Sequence, residues 1–326
     1  MSPLALLCWC PAMRNVGRVL FAIGLGGMGV LSLIHHGFAL AWQPVPSPLP
    51  HRELLADISG AILFGGALAM LVPRLALWSS VVLSVFVSSW LLLQISFRIL
   101  PSPLGVQVWT PFAETVMLVS GGWILTASQS SEKFRARFPN ITGRSGRRSL
   151  QLLYAFAPPV ISLSHFVFSK GTADMIPAWM PFRLGFAYFT GVAHIAAGIG
   201  ILTGVAARLA ATLEATMLGV FVVVVHMPLV AANPSSRLLW TMLFAATACS
   251  GASWIVASSF TKPSTGNPAR KREREHTSRF PSVNFLVGIF FLLDVHSHGR
   301  PSIHGCSSTP RVITNNPFPP CHGRRP

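Results

Sequence analysis

The sequence predicts an all-α membrane protein with about eight transmembrane helices, arranged as two tandem four-helix bundles. The first observation is composition: 51% of the 326 residues are hydrophobic and only 10% are charged, which is more apolar than an ordinary soluble domain. The second is that the apolar residues form runs of about 20, enough to cross a bilayer core as helices that satisfy their own backbone polar groups. The third is that one half of the chain resembles the other.

The predicted spans follow one another along the chain, separated by proline, glycine and charged residues. They cover residues 16–40, 56–73, 75–97, 110–128, 149–169, 183–203, 206–230 and 236–259. None has the period-two alternation of barrel strands. Each span is therefore predicted to be a helix.

The two ends of the chain differ from this pattern. Residues 1–12 precede Met13, which is followed by basic residues and a full apolar span and is a more natural beginning. We interpret 1–13 as an extension from an upstream start site. Residues 260–326 are basic and contain only one short apolar run, 283–295, which is too short to cross a bilayer comfortably. This tail is predicted to be disordered.

Short segments of the first half recur in the second. LSLIHHGF (31–38) aligns with ISLSHFVF (161–168), and GGWILTAS (121–128) aligns with GASWIVAS (251–258). Duplication of a four-helix unit explains both alignments, and an even number of helices gives the two copies the same orientation. Chance likeness between apolar helices is the alternative. The predicted domains are a first unit at 14–128, a basic cytoplasmic loop at 129–148 and a second unit at 149–259.

The net charge of +16 is concentrated in short loops and in the tail, where basic residues act as topology signals. With the N-terminus in the cytoplasm, 20 lysines and arginines lie on the cytoplasmic side and 5 on the other. The count predicts that both termini are cytoplasmic. The distribution of the basic residues favours contact with a lipid bilayer, and no nucleic-acid partner is expected.

Soluble-enzyme chemistry has little support in the sequence. The five cysteines include no CxxC pair, so no zinc or redox role is assigned to them and no metal site is expected. The phosphate-binding, dinucleotide and nucleophile-elbow glycine motifs do not occur. Nucleotide-driven transport and ordinary hydrolysis are therefore not indicated.

Two ionisable residues lie within predicted spans, His194 and Glu214. If the turn between their helices centres on Gly204, each lies ten residues from it, or about 15 Å along its helix, so both have similar depth. His194 shares a face with Gly191 and Gly198, which allows close helix approach. The pair is the catalytic candidate, moving protons or holding a polar cofactor or substrate group. The alternatives are a structural hydrogen bond, or a Glu214 that faces another helix.

A second set of polar residues lies near the predicted outer ends of the helices. Histidine titrates near neutrality and can ligate metal or haem, so this set is the weaker candidate for a cofactor site. It also fits histidines that are merely tolerated at the interface. Its histidines are His35, His36, His165 and His226, and its acids are Asp57 and Glu114. The tryptophans at the same level are expected to anchor in the interfacial belt: Trp42, Trp109, Trp179 and Trp240.

The segment 176–228 resembles the DoxX family of small bacterial membrane proteins. The resemblance rests on a proline–aromatic–proline start, two glycines in the next helix, a basic residue followed by Leu-Ala-Ala, and a histidine near the following helix end. These positions are Pro177, Trp179, Pro181, Gly191, Gly198, Arg208 and His226. Many DoxX proteins have an acidic residue where this chain has His194. The resemblance implies a four-helix unit, here doubled, in the bacterial inner membrane.

The DoxX resemblance also implies an association with quinone- or thiol-linked redox complexes. The expected function is a membrane subunit of such a system, more an accessory subunit than a stand-alone enzyme, with redox-complex proteins as partners. The sequence leaves the cofactor open: it allows a quinone and disfavours haem, because no CxxCH motif is present. The alternatives are a carrier for a small solute and a non-catalytic scaffold.

Overall fold

The structure, a computed structural model, describes residues 3–260, with side chains from Pro11 onwards. The tail predicted at 260–326 lies outside these residues except for Phe260. All regular structure in the described part is helical, and the helices in chain order are α1 (Pro3–Ile34), α2 (Arg52–Leu71), α3 (Ala76–Gln94), α4 (Val106–Gln129), α5 (Glu132–Arg137), α6 (Pro139–Thr142), α7 (Arg144–Val167), α8 (Ser169–Met175), α9 (Arg183–Thr203), α10 (Ala207–Phe221), α11 (Met227–Ala232) and α12 (Arg237–Ser258).

Two helices continue into a π-helical turn. Ile95–Ile99 extends α3, and Val222–His226 connects α10 directly to α11. Within the described residues, seven helical segments are long and apolar enough to cross a membrane, and α10 with its continuation to Ala232 is one of them. This is the composition of an all-α, multi-pass membrane protein, as predicted.

The fourth predicted span, 110–128, forms helix α4 but is not among these seven. Most of α4 is buried, and its sequence includes Glu114, Thr115, Ser120 and Thr126. α4 packs against α3, α7 and α12. A helix enclosed by other helices does not need an apolar surface all round, because protein groups rather than lipid surround its polar side chains.

The long helices pack side by side in a closed ring, and one pair of them also makes contact across it. Each contacts its neighbour in the order α1, α2, α3, α4, α7, α9, α10, α12, and α12 packs extensively against α1. α4 and α12 also pack against each other across the ring. Because α1–α12 and α4–α7 contacts join the predicted halves, the division into two tandem bundles stays a prediction.

Glycine allows the closest of these approaches. A Cβ atom added at Gly17 of α1 would lie 2.7 Å from the backbone oxygen of Gly251 of α12, and the reverse substitution gives the same distance. Small residues let helix backbones approach when van der Waals packing drives association. The α1–α12 interface therefore depends on these two residues.

The first predicted span, 16–40, is wrong at both ends. α1 begins at Pro3 and ends at Ile34, and His36 has a left-handed backbone with φ of 46°, which ends the helix. The segment after it contains Gly37 and four prolines before His51, and proline removes a helical backbone donor. Apolar residues after Ile34 continue the sequence pattern without continuing the helix.

Candidate functional site

The candidate site is built around the contact between His194 and Glu214. The Nδ1 atom of His194 lies 2.8 Å from Oε1 of Glu214, and both side chains are completely buried. His194 is on α9 and Glu214 is on α10. The turn between them contains Gly204 with φ of 80°, a left-handed conformation that glycine adopts without steric cost. The turn lies where the sequence predicts it, and the two predicted residues are brought together.

The close packing of α9 against α7 keeps this pair away from lipid. Gly191 and Gly198 are both buried on the face of α9 that carries His194. A Cβ atom at Gly198 would collide with the ring of Pro159 and lie 2.8 Å from the backbone oxygen of Ala155. The small-residue face predicted around His194 therefore contacts α7, and the histidine faces protein.

His165 of α7 extends the site. Its Nδ1 atom lies 3.0 Å from the hydroxyl oxygen of Thr190, and its ring centroid lies 5.2 Å from that of His194. The Thr190 hydroxyl also lies 2.9 Å from the backbone oxygen of Phe186 and 3.0 Å from that of Ala187, and when it donates to either of them it can accept from His165. Phe221 packs against both imidazole rings. The site thus runs from half-buried His165 through His194 to Glu214.

Two atoms of the central pair face no partner. His194 Nε2 and Glu214 Oε2 are buried and lack a hydrogen-bond partner among the residues that the structure describes. Leaving a buried polar group unsatisfied costs about 1–3 kcal/mol. The pair can exchange a proton along its hydrogen bond without changing its net charge. It can also donate to, or accept from, one further polar group.

Glu114, placed by sequence in the outer set, lies at a second buried centre. Its Oε2 atom accepts from the indole nitrogen of Trp42 at 2.5 Å. Trp42 is 5% exposed, so its predicted role as an interfacial belt residue is wrong: the loop after α1 folds back and inserts it between helices.

The remaining members of the outer set do not gather into one site. His36 pairs with Asp57 through Nδ1 and Oδ1 at 3.0 Å near the surface, and His35 is exposed. His226 lies in the π turn after α10, and its Nδ1 is buried without a partner in the described part of the chain. Over residues 3–260, no three histidine, cysteine or acidic side chains are arranged to hold a metal ion. The set is divided because its members belong to helices on different sides of the ring.

Some residues of the interior are missing from the sequence prediction. Gln94 is buried and donates to the backbone oxygen of Trp42 at 3.1 Å and to the hydroxyl of Thr115 at 2.8 Å. Tyr154 donates to Ser253 at 2.6 Å. Gln94 could have been found, since it is a lone amide in an apolar run. No comparable signal identifies Trp42, because its position depends on a loop that folds back.

Comparison with known proteins gives one match. The family described as "Domain of unknown function (DUF8561)" matches residues 154–260. This region includes His165, His194 and Glu214. No curated protein and no solved structure matches the chain. The matched region thus contains the whole His165–His194–Glu214 row but only the second half of the ring.

Proposed function

We propose that the chain is a membrane subunit of a quinone-linked redox system, in which the His194–Glu214 pair exchanges protons with the quinone head group. The single observation that carries the proposal is the buried 2.8 Å contact between these side chains, with Nε2 and Oε2 left without partners in the described structure. A quinone carbonyl oxygen accepts a hydrogen bond and, on reduction, a proton. The pair can supply both.

The proposed reaction requires a partner redox protein as the source of its electrons. Two electrons from that protein and two protons convert the quinone to a quinol, and the pair delivers protons to the carbonyl oxygens one at a time. His165, half-buried and next to His194, returns protons from the outer end of α7. The chain is therefore an accessory subunit in this proposal, and the electron donor belongs to its partner.

A thiol-linked reaction has weaker support than a quinone-linked one. Cys249 is the free cysteine whose side chain the structure describes, and it is buried on α12. Its sulfur contacts the backbone oxygen of Glu114 at 3.8 Å. Exchange with a disulfide requires an accessible thiolate. Cys249 packs as a small apolar side chain, so the quinone is the favoured cofactor.

The proposal extends to the family, the membrane and the arrangement of the chain within it. The chain is a DoxX-like protein of the bacterial inner membrane, with a duplicated four-helix unit and both termini in the cytoplasm. Two parallels support duplication: α3 and α10 both continue into a π turn, and Trp109 and Trp240 each donate to a proline oxygen six residues earlier, at 2.8 and 2.9 Å. The excess of basic residues supports the orientation.

The test is the quinone content of the protein purified in mild detergent. Solvent extraction and chromatography should recover quinone at close to one per chain from the wild type. Glu214→Gln and His194→Gln should lower the recovery at least several-fold. The matched control is Asp57→Asn, which alters a second histidine–carboxylate pair at 3.0 Å near the surface and should leave the quinone content unchanged.

Two results would contradict the proposal. One is wild-type protein that neither retains quinone nor binds an added short-chain quinone. The other is unchanged binding in both pair variants with normal membrane abundance. Accumulation of a small solute by vesicles that contain only this protein would favour a carrier instead.

A further inference from the structure

A polar pocket lies at the end of the ring opposite the loop that carries Trp42. It has a volume of about 280 Å³ and is formed where the first turns of the apolar part of α1 meet the α2–α3 turn and the end of α4. Arg14, Arg18 and Gln129 line it on the polar side, and Leu77 and Leu125 line it on the apolar side. The volume is near the lower end of the range for small-ligand sites. It suits a head group rather than a large cofactor.

The polar side of the pocket is basic, because it contains the guanidinium groups of Arg14 and Arg18. No carboxylate is among the lining residues that the structure describes. Arg18 Nε and Gln129 Nε2 are buried and lack partners among the described residues. Both atoms can only donate. Asn15, Ser128 and Gln129 also line the pocket and carry neutral acceptor oxygens, but no lining carboxylate balances the two guanidinium groups, and a phosphate supplies the negative charge that these groups prefer.

The second half of the chain contains a corresponding pair of arginines, one of which has a protein acceptor. Arg144 and Arg148 have the same spacing as Arg14 and Arg18, and Arg148 precedes His165 by as many residues as Arg18 precedes His35. Arg148 donates to the backbone oxygens of Ile201 and Leu202 at 3.3 and 2.9 Å, the last turn of α9. Arg18 lies in the corresponding place beside an open pocket.

The surroundings of the pocket favour a lipid over a free anion. Val16 and Trp78, on the same helices, expose apolar side chains, so the pocket lies at the boundary between polar and apolar surface. Phe134 of α5 packs edge-on against Trp78, which holds the basic helix α5 beside the pocket. Exposed basic residues near a bilayer attract anionic lipids.

We propose that this pocket binds the phosphate group of an anionic phospholipid, with Arg14 and Arg18 as its principal ligands. The two arginines donate to the phosphate oxygens through their guanidinium groups. The acyl chains follow the apolar surface along Val16 and Trp78. This site lies on the first half of the chain and is separate from the His194–Glu214 pair.

The test is native mass spectrometry of the purified full-length protein titrated with phosphatidylglycerol or phosphatidylcholine. Wild-type protein should bind one phosphatidylglycerol more tightly than phosphatidylcholine, and Arg18→Gln should weaken that binding about tenfold, because a charge-assisted hydrogen bond is lost. Arg14→Gln should weaken it less. The matched control is Arg144→Gln, an exposed arginine at the corresponding position, which should change the affinity less than twofold.

Competition with inorganic phosphate distinguishes a lipid phosphate group from a free phosphate ion as the ligand. If millimolar phosphate does not displace the bound lipid, the proposal is supported. If phosphate alone displaces the lipid, the ligand of the pocket is a soluble anion instead. Equal affinities of the wild type and Arg18→Gln for phosphatidylglycerol would overturn it. Arg18→Lys keeps the charge and checks folding: reduced binding with an unchanged elution volume and melting temperature supports recognition of the phosphate by the guanidinium group rather than by charge alone.

Discussion

The Nδ1 atom of His194 lies 2.8 Å from the Oε1 atom of Glu214, and neither side chain reaches the surface of the protein. The two residues are on consecutive antiparallel helices, so one hydrogen bond joins α9 to α10 at mid-depth. The segment Ala207–Ala232, which begins with α10, is otherwise the least buried of the seven apolar segments in the described structure. This contact therefore orients α10, and in the proposed function it provides the proton-exchanging group inside the ring.

A double-mutant cycle on this pair should give a coupling energy of about 1–2 kcal/mol, since interhelical polar contacts in membranes are worth roughly this amount. The variants are His194→Ala, Glu214→Ala and their combination, and the measurement is thermal unfolding in detergent. Each single variant leaves a buried polar group without its partner, so the double variant should lose less stability than the sum. Additive losses would show that the two side chains do not interact.

The substitution Gly198→Val should destabilise the protein by about 1–3 kcal/mol, the usual cost of overpacking. The added side chain would collide with Pro159 and push α9 away from α7. Gly185→Ala on the same helix is the matched control, because its Cβ atom would come no closer than 3.8 Å to a neighbour. A melting temperature for Gly198→Val equal to that of Gly185→Ala would contradict the observed packing.

The substitution Trp42→Phe should cost about 1–3 kcal/mol of unfolding free energy, because Glu114 loses its 2.5 Å indole partner in a buried site. Trp179→Phe should have little effect, since Trp179 is 74% exposed. Thermal unfolding of both variants provides the comparison. Equal melting temperatures for the two variants would contradict a stabilising role for the hydrogen bond between Trp42 and Glu114.

The orientation can be checked with reporters fused after Ser259, the residue that follows α12. A fluorescent protein that matures only in the cytoplasm should be bright there, and a fused alkaline phosphatase should be inactive. The basic-residue bias predicts this result. Active phosphatase with no fluorescence would reverse the orientation and would place the arginine pocket on the outer face.

Much of the local structure follows from the sequence because it depends on nearby residues. The predicted helix at 183–203 is found with both ends as predicted, and the turn at Gly204 occurs where a glycine follows an apolar run. Its buried face, with Gly191 and Gly198, follows from helical periodicity. The shared depth of His194 and Glu214 follows from the rise per residue.

The facing of those two residues was decided by tertiary structure alone, because the rotation of α10 about its axis depends on how α9 and α12 pack against it. The same applies to Trp42, whose burial requires the loop after α1 to fold back onto Gln94 and Glu114, residues far away in the chain. It also applies to the outer histidines, which the sequence predicts at one level but which lie on different sides of the ring. Hydropathy and helical rise set the depth of a residue. Only the packing of distant helices sets its direction.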